Sequence, residues 1–169
     1  MSNNDVEHGG DPACWAHLTP NHNLPSPLDD AALAELVRNL SDGVIVANAD
    51  GVIVFWNSGA ERIFGWKQHE ALGQTLDLII PERQRAAHWT GYVQTTVTGH
   101  TRYGTELLRV PALHRNGQRR SIAFTVTLLG STDTKILIAA VIRDETQRWA
   151  EEQDLRRQAR DHNARSADT

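Results

Sequence analysis

Two pairs of apolar runs, one meeting at Asp50-Gly51 and the other at Asn116-Gly117, limit the folds open to this chain more than any other feature. Asp-Gly and Asn-Gly readily take positive φ, so each pair reads as a β-hairpin closed by a two-residue turn. The first pair is GVIVANADGVIVFWN. The second joins a run through Leu108, Val110 and Ala112 to one in which Ile122, Phe124, Val126 and Leu128 alternate with Ser121, Ala123, Thr125 and Thr127. That alternation marks half-buried strands, and it sets Arg109 on the face opposite Leu108. Residues 136–142 are apolar at nearly every position and are expected as a central strand covered on both faces.

Helical signals fill the intervals. Leu33, Leu36, Val37 and Leu40 recur at helical spacing behind the capping candidates Asp29 and Asp30. Ser58 and Glu61 read as a capping box, Ile63 and Phe64 as buried anchors, and Gly65 as a stop. HEALGQ and TLDLII suggest a further helical turn and a connector. Pro81 and Glu82 suit the start of a long helix that Gly99 ends. After Asp144 the chain turns polar and helix-favouring, with Trp149 and Leu155 as its large apolar residues. Two strands, then helices, then three strands form an α+β domain, one antiparallel sheet with helices over one face and a pocket between. Residues 1–28 read as a flexible tail, 29–146 as the domain, and 147–169 as a linker helix and tail.

Charge and composition exclude several functions. A net charge of −4 argues against nucleic acid, and the clusters Arg115, Arg119, Arg120 and Arg156, Arg157, Arg160 read as solvated faces. No apolar run approaches the roughly 18 to 20 residues that cross a bilayer, and no secretory signal opens the chain, so a cytoplasmic location away from membranes is expected. Cys14 is the single cysteine, so no internal disulfide forms. His69, His100 and His114 lack zinc-type spacing, and no nucleophile or triad constellation is apparent, so the chain does not read as an enzyme.

The segment LSDGVIVANADGVIVFWNSGAERIFGW, followed by EALGQ, the PER-led helix, RNGQ and IRDET, resembles a PAS domain over residues 30–146. The resemblance implies a five-stranded antiparallel sheet in the order 2-1-5-4-3, used for ligand sensing and partner contact. It makes the closing polar helix a signalling linker. No output domain follows that helix, so the chain is expected to act through a partner protein or to be one piece of a longer one; ARSADT resembles a natural terminus.

Within that family, PERQRAAHWTGY is similar to the long helix of haem-binding PAS domains, of the FixL type and of the type fused to cyclic-di-GMP phosphodiesterases. Those carry a proximal histidine seven residues after a proline and three after an arginine, a spacing that Pro81, Arg85 and His88 reproduce. The resemblance implies haem b, with His88 as iron ligand and Tyr92, Arg102, Leu108, Phe124 and Val126 around it. A neutral imidazole on a rigid helix suits an axial ligand, and Gly91, one turn on, lets a flat ring approach. The positions that would hold a distal arginine or methionine fall on Leu108 and Glu106, so the wall facing the iron is expected to be apolar. Arg109 would turn inward only through a bulge or a one-residue slip. The expected ligand is a small gas (CO, NO or O2), with poor discrimination in favour of O2. Arg102 is placed for a propionate. Flavin photochemistry of this fold uses a cysteine on the same helix; Cys14 lies in the tail, which excludes it. A haem-free adaptor, or a sensor of an apolar small molecule, stays open beside haem sensing. A homodimer is expected in either case, because the stripe of Leu33, Leu36, Val37 and Leu40 is left partly uncovered. Peroxide chemistry is a weaker third reading, since no distal acid–base pair is present.

Overall fold

The computed structural model describes residues 28–101, 106–130 and 136–167. Its elements run α1 (Asp30–Asn39), β1 (Gly43–Ala47), β2 (Ile53–Trp56), α2 (Ser58–Phe64), α3 (Gln68–Ala71), a 3-10 turn (Leu76–Leu78), α4 (Glu82–Thr98), β3 (Leu108–Leu113), β4 (Arg119–Leu129), β5 (Leu137–Asp144) and α5 (Thr146–Ala167). The strands form one antiparallel sheet in the order β2-β1-β5-β4-β3, as the family resemblance implied. The tail expected over residues 1–28 lies outside the described residues, apart from Leu28.

Both hairpins turn where expected but with longer loops. Gly51 N donates to the Asn48 carbonyl and Asn48 N to the Val52 carbonyl, both at 2.9 Å. Gly117 N and His114 N repeat that pattern with His114 and Gln118. Each loop therefore has three residues and ends on a left-handed glycine, φ 75° at Gly51 and 82° at Gly117, instead of the two-residue turn read from sequence. Asn48 organises the first loop, its Oδ1 accepting from the amides of Asp50 and Val52.

The cap of α2 is Asn57, not Ser58. Asn57 is 2% exposed, and its Oδ1 accepts from Val44 N (2.8 Å) and Ala60 N (2.9 Å). Its Nδ2 donates to the carbonyls of Val37 and Asp42, both at 3.0 Å. One side chain thus ties α1, β1 and α2 together with every hydrogen-bonding position used. Glu61, assigned to a capping box, instead accepts from Gln68 N and pairs with Lys67. Asn57→Ala is expected to cost at least about 2 kcal/mol, because buried backbone groups lose their partners; thermal denaturation measures it.

The core lies on the helix side of the sheet. Trp56 and Phe64, ring centroids 5.5 Å apart, pack with Ile45, Ile53, Ile122 and Ile142. β5 is central in the sheet, but the expectation that both of its faces are covered is not met: Val141 is 44% exposed, and Val54 and Leu129 elsewhere in the sheet are exposed too. α1 buries none of its residues, and Leu33 and Leu36 stay exposed as the sequence implied.

Candidate functional site

α4 is 17 residues long, yet Tyr92 is its only buried side chain. A helix lying over a sheet normally buries a whole stripe. Here a cavity of about 370 Å³ separates the two, within the range of roughly 300–1,000 Å³ usual for small-molecule sites. His88, Gly91, Tyr92 and Thr95 face it from α4, the i, i+3, i+4, i+7 set of one helical face. Every residue that the sheet contributes is apolar, including Leu108, Val110, Phe124, Val126 and Ala140.

Polar ties at its rim hold the helix off the sheet. Tyr92 Oη donates to the Asn48 carbonyl at 2.6 Å, and Trp89 Nε1 donates to Asp77 Oδ1 at 2.9 Å. Arg85 donates to the carbonyls of Ile80 and Asp77 and lies 3.5 Å from the Asp77 carboxylate. The arginine of the sequence motif thus clamps the start of α4 to the preceding turn. Trp89 lies against Gly51, where a Cβ would come within 2.3 Å of its ring, so the hairpin glycine also seats the helix. Burial, with the Asp50 carboxylate adding to it, pushes the Tyr92 phenol up to about 12.

His88 sits half-buried in this wall, its ring 5.6 Å from that of Tyr92. Its Nδ1 is buried and has no hydrogen-bond partner. Burial pushes the imidazole below its ordinary value of 6.5, against an opposing pull from Asp77. His88 is therefore neutral at pH 7, with a lone pair free on one nitrogen. A Cβ built on Gly91 meets nothing within 4 Å, so the glycine opens space beside the imidazole. The residues fit haem: one unspent imidazole, open space at Gly91 next to it and a largely apolar lining. Among the described residues no three His, Cys, Asp or Glu side chains converge on a metal position, and His88 is the one residue of these types among those lining the cavity.

The pH dependence of the ligand-free fold follows in sign. Well above the ordinary value of 6.5 His88 is neutral in both folded and unfolded chains and contributes no slope. Below it the unfolded chain takes the proton first, so stability falls with pH until the folded imidazole titrates too. Denaturant midpoints measured from pH 7 downward should show this loss, and His88→Leu should remove its share.

Of the residues singled out in the sequence, His88, Tyr92, Leu108, Phe124 and Val126 line this cavity. Arg102 lies outside the described residues. Glu106 is exposed and is not part of the wall. Arg109 stays turned away: the β3–β4 register runs unbroken from Leu108↔Phe124 to Leu113↔Arg119, and Arg109 Nε pairs with Glu145 at 3.0 Å. Gln84, which no pattern singled out, also lines the cavity, and its Oε1 is buried without a partner. A glutamine in the first turn of a polar helix carries no signal of that kind.

Comparison with known proteins agrees with this architecture. The PAS fold pattern matches residues 31–144. The chain is 36% identical over 56 residues to sensor protein FixL of Bradyrhizobium diazoefficiens, covering 33% of this chain and 11% of that one. It is 26% identical over 121 residues to oxygen sensor protein DosP of Escherichia coli, covering 68% of this chain and 14% of that one. It therefore spans a small part of these relatives. A PAS domain from Colwellia psychrerythraea superposes with TM-score 0.60 at 18% identity, over 69% of this chain and 97% of that one. An RNA-binding Light-Oxygen-Voltage receptor superposes with TM-score 0.61 at 16% identity, over 82% of this chain and 39% of that one. At such identities the likeness is one of fold.

Proposed function

This chain belongs to the PAS fold family, and on that premise we propose that it is a haem-dependent sensor whose iron ligand is His88. The observation that carries the reading is a neutral imidazole with an unpartnered buried nitrogen, beside a glycine that opens onto an apolar cavity. Similarity to sensor protein FixL and oxygen sensor protein DosP supports it. Bound haem would supply an iron centre that takes a diatomic gas or changes oxidation state.

The protein's own part is to bind, orient and select. α4 holds the imidazole at fixed height, with Arg85 and Trp89 anchoring that helix to Asp77. The sheet excludes water with side chains such as Leu108, Phe124 and Val126. None of the sheet residues lining the cavity donates a side-chain hydrogen bond, so partial negative charge on a bound gas gains no stabilisation from that wall. CO and NO need such a donor much less than O2 does. The ferrous protein is therefore expected to bind CO and NO and to autoxidise quickly in air. Tight, slowly autoxidising oxygen binding would contradict this.

Output is proposed to pass through the helices flanking the sheet. Leu108 lines the cavity while its neighbour Arg109 pairs with Glu145, which also meets Arg148 at 3.3 Å on α5. A shift of the β3 wall therefore pulls on the root of α5. The exposed leucines of α1 are proposed to pack in a homodimer, with a further protein receiving the signal.

Hemin titration of the full chain tests the reading: one equivalent bound with a sharp Soret band, and loss of both in His88→Ala. A colourless wild type that takes up no hemin favours the haem-free reading, in which the cavity holds an apolar small molecule or stays empty.

A further inference from the structure

Among the described residues only four buried polar side-chain atoms lack a hydrogen-bond partner. Two of them, Gln84 Oε1 and His88 Nδ1, lie one helical turn apart on α4 and line the same cavity. One is an obligate acceptor. The other is a ring nitrogen that can carry the proton of a neutral imidazole. Residues four apart are neighbours on a helix surface, and long side chains lean toward the helix N-terminus, so the His88 ring overlies the turn that carries Gln84.

We propose that Gln84 Oε1 accepts a hydrogen bond from Nδ1–H of His88 with or without haem in the cavity, making Gln84 the positioning residue that leaves Nε2 unprotonated for iron. The pairing would satisfy both orphaned atoms. It selects one of the two neutral tautomers and fixes the ring plane, the usual task of the group behind a metal-bound histidine. Ligation by Nε2 rests on the function proposed above; the hydrogen bond does not.

Nitrogen-15 NMR of the His88 ring in the full chain, read without haem at pH 8, tests the hydrogen bond by itself. The expected wild-type tautomer carries its proton on Nδ1. Gln84→Leu should shift the population toward Nε2–H, while Gln84→Glu, which keeps an acceptor, should retain Nδ1–H. Hemin affinity should then fall roughly 10- to 100-fold in Gln84→Leu, with a lowered iron–histidine stretching frequency in the ferrous protein. A wild type protonated on Nε2, or a tautomer indifferent to Gln84→Leu, overturns the assignment of Gln84. The expected tautomers in a chain that takes up no hemin leave the hydrogen bond standing and overturn only the ligation reading.

Discussion

Gly59→Ala is expected to destabilise the domain by more than about 3 kcal/mol, a large part of the roughly 5–15 kcal/mol that holds a domain of this size together. Gly59 is buried in the first turn of α2, where that helix crosses the segment entering β1. An added Cβ would fall 2.1 Å from the Asp42 carbonyl oxygen and 2.8 Å from that of Leu40. Both neighbours are backbone atoms, so neither can rotate away. Asp42 is also held by Asn57 Nδ2 through its carbonyl and by Arg143 at 2.6 Å through its carboxylate. Relief would require α2 to lift from β1, dragging Ala60, Ile63 and Phe64 out of the core. At about 2–4 °C per kcal/mol for a chain of this length, the melting temperature should drop by more than roughly 6 °C. Thermal denaturation followed by circular dichroism measures it, with Gly91→Ala, whose Cβ would meet nothing within 4 Å, as the contrasting variant.

Gly91 behaves oppositely. It too is a helical glycine, but its Cβ would enter open space. Gly91→Ala should therefore stabilise the ligand-free protein by about 0.5–1 kcal/mol, the ordinary gain for removing a glycine from a helix interior. Gly91→Leu keeps the helix and fills the cavity beside His88. Hemin affinity should fall roughly 5- to 100-fold, because a rigid macrocycle cannot yield where overpacking costs about 1–3 kcal/mol. Unchanged hemin binding in Gly91→Leu, with a folded spectrum, would mean that the ring does not lie against α4. The helix thus gives up stability at a position where side-chain volume would close the site.

Local signals were legible where local chemistry decides. Asp29 caps α1 through Ala32 N, Gly65 and Gly99 end their helices with positive φ, and Pro81 precedes the first residue of α4. The alternation in β4 placed Phe124 and Val126 on the cavity side correctly. What was not legible depends on distant partners. Asn57 became a hub only because Val37, Asp42 and Val44 converge on it in three dimensions; in sequence its neighbour Ser58 offers an equally good cap. The apolar run that forms β5 looked covered on both faces, but sequence does not tell whether the second face meets a helix or, as at Val141, is left exposed. Arg109 finds Glu145 36 residues further on, which keeps it out of the site although it adjoins Leu108. Of the candidate site, the motif histidine and its wall were readable, because helical and strand periodicities carry them. Gln84 was not, since its distinction is an unmet hydrogen bond and not a residue type.

The account depends on the His88 imidazole being the bond between protein and iron. The most direct measurement is hemin titration of His88→Gly with and without free imidazole, followed by Soret absorption and by resonance Raman of the ferrous form. The full chain should take up one hemin and show an iron–histidine stretch. His88→Gly should lose that stretch and recover it when imidazole enters the space the side chain has left. A variant that binds hemin like the wild type and ignores imidazole would contradict the account, as would a wild type that stays colourless.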